Sequence, residues 1–282
     1  MAAATQVGDP SNDSLTTTGG GGQAPPYSQK AGHVDYATAL TGQNRMLGEL
    51  LRDADWSVPV PTCPGWTLLQ LLRHVGRGDR WAAQIIADRA DTSLNPRLVR
   101  DGKPPADVQG AIRWLSQSPQ VLLAAVEAIG PGSEVSTFVG PRPAAWWTRR
   151  RLHEATVHRA DAAIALGAPY ELSPELAADG ISEWLERLAG EQAFGKPPSL
   201  PAGTSLALRA TDRHLTDSAW TVFGSATGVH WVGRPGIADL TISGPATDLL
   251  LALLRRHPAE DTGISMQGDT ALWRSWLALT PL

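Results

Sequence analysis

Gly195-Lys196-Pro197-Pro198 divides the chain into two kinds of sequence, and the fold turns on that division. A glycine followed by two prolines neither continues a helix nor sits inside a sheet, so the four residues read as a linker. Upstream, apolar residues recur at helical spacing. Asp35 to Arg52 carries Leu40, Leu47, Leu50 and Leu51 on one stripe. Val58-Pro59-Val60-Pro61-Thr62-Cys63-Pro64-Gly65-Trp66 then forms a rigid connector. Thr67 and Gln70 have the spacing of a capping box, opening a second helix that runs to about Ala90. A third helix is expected from Pro105 to Ile129, stopped by Gly130-Pro131-Gly132. A fourth follows Pro141-Arg142-Pro143 and ends near Leu166, with Gly167 as its C-cap. A shorter fifth covers Pro174 to Leu188. Four long helices with short or moderate loops predict an up-and-down bundle.

Downstream of the linker the period changes. Ser205 to Ala210, Ala219 to Phe223, Val229 to Val232 and Asp239 to Ile242 read as strands; in the last, Leu240 and Ile242 alternate with polar neighbours. Gly244-Pro245 opens an apolar helix from Ala246 to Arg256. A short strand near Ile264 to Gln267 and a helix from Ala271 to Leu279 complete a small α+β domain. The expected organisation is α+β: a tail over 1–32, a helical bundle over 33–195 and the small domain over 196–282. The tail is rich in Ser, Thr, Gly and Pro and is expected to be disordered, because it cannot bury enough apolar surface to offset its ordering entropy. Its run Gly19 to Gly22 is not a phosphate loop, since no strand precedes it and no Gly-Lys-Ser/Thr follows.

Composition narrows the function. The 282 residues carry a formal net charge of −4, so no basic surface invites nucleic acid. No apolar run is long enough to cross a bilayer, and the N-terminus lacks the pattern of a signal peptide, which predicts a cytoplasmic protein. The single cysteine, Cys63, forms neither an internal disulfide nor a multi-cysteine zinc site. Chemistry that needs a thiol therefore draws it from a small molecule. Cys63 lies just before a helix N-terminus, which favours a reactive thiolate; a small buried side chain is the competing reading. The eleven tryptophans are expected mainly to fill gaps between elements. His33, His214, His230 and His257 show no partner pattern.

Arg151-Leu152-His153-Glu154-Ala155-Thr156-Val157-His158-Arg159-Ala160-Asp161 is the strongest local feature. His153 and His158 are five apart and point to different faces. Glu154 and His158 are four apart and share one, so a carboxylate and an imidazole can reach a single metal ion. Asp161 follows on the same side, placed to accept a hydrogen bond from a liganding imidazole. An ordinary Glu–His contact on a surface helix is the alternative. His74, within Leu71-Leu72-Arg73-His74-Val75-Gly76, lies on an apolar helix where Gly76 and Gly78 allow close approach. A hydrogen-bonded core histidine is the bland reading. Joined to Glu154 and His158, it makes a set that leaves a metal position open, as catalytic zinc sites do, and that also suits ferrous iron.

These segments together resemble the mycothiol-dependent maleylpyruvate isomerase family, within the wider DinB-like helical-bundle proteins. The resemblance rests on Val60-Pro61-Thr62-Cys63-Pro64-Gly65-Trp66-Thr67, on Leu71 to Gly76, on Glu154 to Ala162, and on Ser243-Gly244-Pro245 through Arg256-His257-Pro258. It implies a zinc ion on His74, Glu154 and His158, acting through the metal, with Asp161 behind it and mycothiol as the thiol co-substrate. It also implies a basic C-terminal residue near the site, for which Arg256 is the positional match. Arg150, Arg151 or Arg256 can pair bidentately with a carboxylate on a co-substrate, and ordinary solvation is the alternative for each. The leading expectation is S-transfer or thiol exchange on a small electrophilic or natural-product substrate. A cis–trans isomerase of the maleylpyruvate type is the alternative, and a non-enzymatic metal-stabilised binding protein is the third reading. The expected partners are small molecules, with the chain a monomer or weak homodimer.

Overall fold

A computed structural model describes residues 34–193, 195, 197–215, 218–257, 259 and 262–280. The expected disordered tail, His33 and Lys196 of the linker lie outside these residues. Helix α1 (Tyr36–Leu51) starts where the Asp35 carboxylate accepts the backbone N–H groups of Ala37 and Thr38, each at 3.1 Å. Helix α2 (Leu68–Asp88) starts where Gln70 Oε1 accepts the Thr67 N–H at 2.6 Å. Helix α3 (Val108–Ile129) begins three residues later than expected, because Asp107 caps it by accepting the Gly110 N–H at 2.7 Å. Helix α4 (Ala145–Leu166) ends on Gly167, in the left-handed conformation at φ 60°. Between α3 and α4, strands β1 (Glu134–Val135) and β2 (Arg142–Pro143) make a small antiparallel pair that the sequence does not announce.

Helix α1 packs on α3 and α4, and α2 packs on α3. Their inward stripes, including Leu40, Leu47, Leu71, Leu72, Leu115 and Leu122, form one core in which these side chains are fully buried. Each such leucine stabilises the fold by roughly 1.5–3 kcal/mol. Gly76 marks the closest approach of α2 to α3: a Cβ there would overlap the Trp114 ring.

Helix α5 (Pro174–Ala193) runs five residues past the expected end. Its apolar side, with Ile181, Trp184, Leu185 and Leu188, joins a second core. That core is completed by a five-stranded sheet and two helices. The strands are β3 (Ser205–Ala210), β4 (Ala219–Ser225), β5 (Gly228–Val232), β6 (Leu240–Gly244) and β7 (Ser265–Gly268), in the order β5-β4-β3-β6-β7. Only β3 and β6 run parallel. Their register sets Leu206 opposite Leu240 and Leu208 opposite Ile242, all buried. Helix α6 (Ala246–Leu253) follows β6, and α7 (Ala271–Leu279) closes the described chain. Helix α6 stops three residues short of Arg256; Arg255, at φ 57°, turns the chain there. The α+β architecture matches the expectation. Among the described residues no helix is long and apolar enough to cross a membrane.

Candidate active site

Faces of α4 and α5 enclose a cavity of about 420 Å³, closed by His74 on α2, the connector from Thr62 to Trp66, and Leu250, Leu254 and Arg256. The helical period accounts for the two main walls. Arg150, His153, Glu154, Val157 and His158 all line the cavity from α4, so His153 and His158, expected on different faces, both border it, while Gly180, Glu183, Trp184 and Arg187 share one side of α5.

The structure brings His74, Glu154 and His158 together. Glu154 Oε2 lies 3.3 Å from His74 Nε2 and 3.5 Å from His158 Nε2. One ligand atom from each residue falls within 4.8 Å of the others. A tetrahedral zinc ion with bonds near 2.0–2.1 Å requires ligand atoms roughly 3.3–3.4 Å apart; the donor types suit that ion, and the two Glu154–imidazole distances approach that spacing. Trp66 covers the imidazoles, its ring centroid 4.8 Å from that of His74 and 6.0 Å from that of His158.

Asp161 explains which nitrogen of His158 faces the cluster. Fully buried, it accepts from His158 Nδ1 at 2.8 Å, Thr62 Oγ1 at 2.6 Å, Arg256 Nε at 2.9 Å, Arg256 Nη2 at 3.1 Å and Cys63 Sγ at 3.4 Å. The carboxylate fixes the proton on Nδ1 and leaves the Nε2 lone pair toward Glu154. Cys63, His158 and Asp161 also lie close enough to share an ion. Asp161, however, already accepts from five donor atoms, so the first trio is the better candidate donor set.

Electrostatics separates the two histidines. Burial, then the facing His158 and the guanidiniums of Arg151 and Arg150, push His74 down to about 2. Burial also opposes charge on His158, but its hydrogen bond to Asp161 and the presence of Cys63 outweigh that and raise it. Burial would raise Asp161; the bonds from His158 and Arg256 overcome it and hold the carboxyl well below the usual carboxylate range.

The three consecutive arginines of α4 reach several carboxylates, Arg150 and Arg151 sharing Glu154. Arg149 reaches Asp179 at 2.9 Å and Glu186 at 2.7 Å. Arg150 Nη1 binds both Glu183 oxygens, at 2.7 and 2.8 Å, and Nη2 binds Glu154 Oε1. That contact occupies one Glu154 oxygen and leaves Oε2 facing the two imidazoles, with Arg151 Nη1 3.6 Å away. Arg151, expected to hold a cofactor or co-substrate, instead donates from Nε to Asp79 Oδ1 at 2.9 Å and from Nη2 to Val75 O at 3.2 Å. It does not line the cavity. A Cβ on Gly78 would overlap its guanidinium, so the glycine makes room for this pair. Arg256 does line the cavity, with Nε, Nη1 and Nη2 all engaged by Asp161 and Leu254 O.

Sequence reasoning missed Glu183, Asp79 and the carboxylate-positioning role of Arg150. A signal was present: Asp179, Glu183 and Glu186 recur at helical spacing on α5, an acidic stripe complementary to the run Arg149 to Arg151.

Residues 37–163 match the family model for the mycothiol maleylpyruvate isomerase N-terminal domain, and residues 175–275 match the model for the C-terminal domain of the same proteins. Two solved structures are similar. One is a histidine-to-alanine mutant of mycothiol-dependent maleylpyruvate isomerase, at 14% identity and a TM-score of 0.54. The other is the same named enzyme without that mutation, at 16% identity and a TM-score of 0.49. Each alignment covers 82% of this chain and 91% of the other. At 14% identity the first speaks for a shared fold alone. No curated protein matches the sequence. The two domain models, matched in order along most of the chain, carry the assignment: the chain belongs to the mycothiol-dependent maleylpyruvate isomerase family.

Proposed function

We propose that this protein is a mycothiol-dependent cis–trans isomerase of the maleylpyruvate type, with zinc held by His74, Glu154 and His158. The observation that carries the reading is the convergence of these three side chains in one cavity, with Asp161 behind His158 and Arg150 on the spare oxygen of Glu154. A bound zinc ion supplies a Lewis-acidic position that favours the thiolate over the thiol at neutral pH.

The residues of the chain prepare that chemistry. Asp161 sets the His158 tautomer, and Arg150 orients Glu154 while Glu183 holds Arg150. Trp66 shields one side from water. Cys63 donates to Asp161 and is not needed as the thiol. In thiol-assisted isomerisation, a thiolate adds to the conjugated cis alkene, the resulting single bond rotates, and elimination returns the thiolate with the trans alkene. The net reaction consumes no thiol. The family match weights this above the S-transfer that leads the sequence reading. A reducing cytoplasm suits a free small thiol and the unpaired Cys63.

The test is elemental analysis together with turnover of maleylpyruvate and mycothiol, on wild type and His158→Ala. The expected result is one zinc per chain and a trans product in wild type, with metal and turnover both lost in the variant. A stable thioether adduct in place of the trans isomer would move the assignment to S-transfer. A wild type that neither keeps zinc nor turns over after zinc is restored would leave a binding protein.

A further inference from the structure

The candidate metal cluster is more open at α2 than at α4: the His74 side chain is 40% exposed, that of His158 10%. Arg77 stands beside that opening, three residues past His74 and so on the same side of α2, and its charge reaches His74. Arg73 lies four residues before Arg77, the spacing at which helix side chains are neighbours. A third guanidinium comes from the following loop. Arg97 stands in a short helical turn, Pro96–Leu98, where the Asn95 carboxamide oxygen accepts the Arg97 N–H at 2.9 Å. That turn packs on α2, and Arg77 Nε donates to Gly102 O at 2.9 Å, tying the rest of the loop to the helix.

This cluster has no counter-charge. Burial lowers the Arg77 guanidinium, the neighbouring Arg73 and Arg97 lower it further, and no carboxylate offsets them. The carboxylates of the surroundings are committed elsewhere: Asp79 to Arg151, Asp88 to Arg100 and Glu154 to Arg150, while Asp101 acts on Arg80. Among the described residues no protein atom accepts from the Nη groups of Arg73, Arg77 or Arg97. Arg97 is exposed, and Arg73 and Arg77 are half-buried. Like charges one turn apart destabilise a helix. In a chain of net charge −4, three of them gathered beside a metal-ligand cluster call for an anion.

Guanidinium is charged at any ordinary pH and pairs with a planar oxyanion through two parallel N–H bonds. We propose that Arg73, Arg77 and Arg97 form an anchoring site for a carboxylate of the electrophilic co-substrate, which approaches the metal cluster from the open side of His74. The proposal rests on the reading that a thiol adds to an electrophile at that cluster. Recognition then depends on the charge of the electrophile, and the anchor acts on its binding rather than on the chemical step.

Steady-state kinetics tests this on the zinc-loaded full chain, with maleylpyruvate varied at saturating mycothiol. Arg77→Gln removes the charge; Arg77→Lys keeps it and gives up the bond to Gly102. The KM for maleylpyruvate should rise roughly tenfold in Arg77→Gln, as for loss of a charge-assisted pair, and largely recover in Arg77→Lys. The kcat and the KM for mycothiol should stay near the wild-type values. Added salt should raise the wild-type KM for maleylpyruvate more than that of Arg77→Gln. An unchanged KM overturns the anchor. So does an equal rise in Arg77→Lys and Arg77→Gln, which would make Arg77 a tether for the loop. If Arg77→Gln does not fold, Arg97→Gln, at an exposed position, decides in its place. Calorimetric titration of succinate separates the anchor from the isomerase reading. In a chain that turns over nothing, succinate binding that Arg77→Gln weakens and Arg77→Lys restores keeps the anchor; equal binding by wild type and Arg77→Gln, or none, removes it.

Discussion

In the five-stranded sheet the buried positions are mostly apolar: Leu206 and Leu208 face Leu240 and Ile242 across β3 and β6, with Thr221 the polar exception among the described residues. In α4 they are largely polar: Arg149, Arg151, His153, His158, Arg159 and Asp161 are each less than one-tenth exposed. The sheet is held by area removed from water, which depends on size and shape more than on identity. Helix α4 is held by specific pairs, and the partners come from four other parts of the fold. Gln43 lies on α1, Asp79 on α2, Asp179 and Glu183 on α5, and Arg256 in the turn after α6. The chemistry sits in the region that depends on pairing. A helix that must bury charge needs partners at fixed positions, and the same fixity orients Glu154 and His158.

The contrast breaks most visibly at Asp79. Its carboxylate is 0% exposed, and Arg151 beside it is 7% exposed. Asp79→Ala strands a buried guanidinium and is expected to lower unfolding stability by about 3–5 kcal/mol. Ile242→Val in the sheet removes one methylene and should cost about 0.5–1.5 kcal/mol. Denaturant unfolding of the two variants compares them directly. Equal costs would mean that the α4 pairs are no more demanding than ordinary core packing.

A smaller effect sharpens the comparison at the site. Asp161→Asn keeps the shape behind His158 but removes the charge and the preference for a proton on Nδ1. Metal affinity is expected to fall roughly 10–100-fold with the fold retained. Chelator competition measures it, and a change below about threefold would show that the tautomer of His158 is set by something other than Asp161.

The same contrast explains what the sequence discloses. Strand β3 and helix α7 begin and end at the expected residues, because alternation and turn punctuation are local signals. Glu154 and His158 are legible as a pair because their spacing alone places them on one helical face. The choice of Asp79 by Arg151 is not legible. Periodicity says which residues share a face of α4, but not which neighbour covers it, and with polar residues on every face α4 reads as solvated until its packing is seen. The extension of α5 and its place in the second core were hidden for the same reason. Its acidic residues resemble a solvated face, yet they are the counter-charges of Arg149 and Arg150.

The smallest effect is one of slope with pH. Asp179 accepts from His153 Nε2 at 2.7 Å, Arg149 Nε at 2.9 Å and Tyr36 Oη at 3.1 Å. Burial would raise its carboxyl, but the bonds and charges of His153 and Arg149 hold it well below the ordinary value of 3.8. A depressed carboxylate contributes stability that is fully present above the unfolded value and is lost as pH falls through the folded one. The sheet core, built on Leu206, Leu208, Leu240 and Ile242, carries no titrating group that could mimic this trend. Asp179→Asn should therefore be less stable than wild type by a constant amount above about pH 5, and the gap should narrow steadily below pH 4. Urea unfolding at pH 7, 5, 4 and 3 reads the gap. A gap that stays constant down to pH 3 would mean that the asparagine loses packing rather than charge, and that this pair of α4 contacts behaves like the sheet after all.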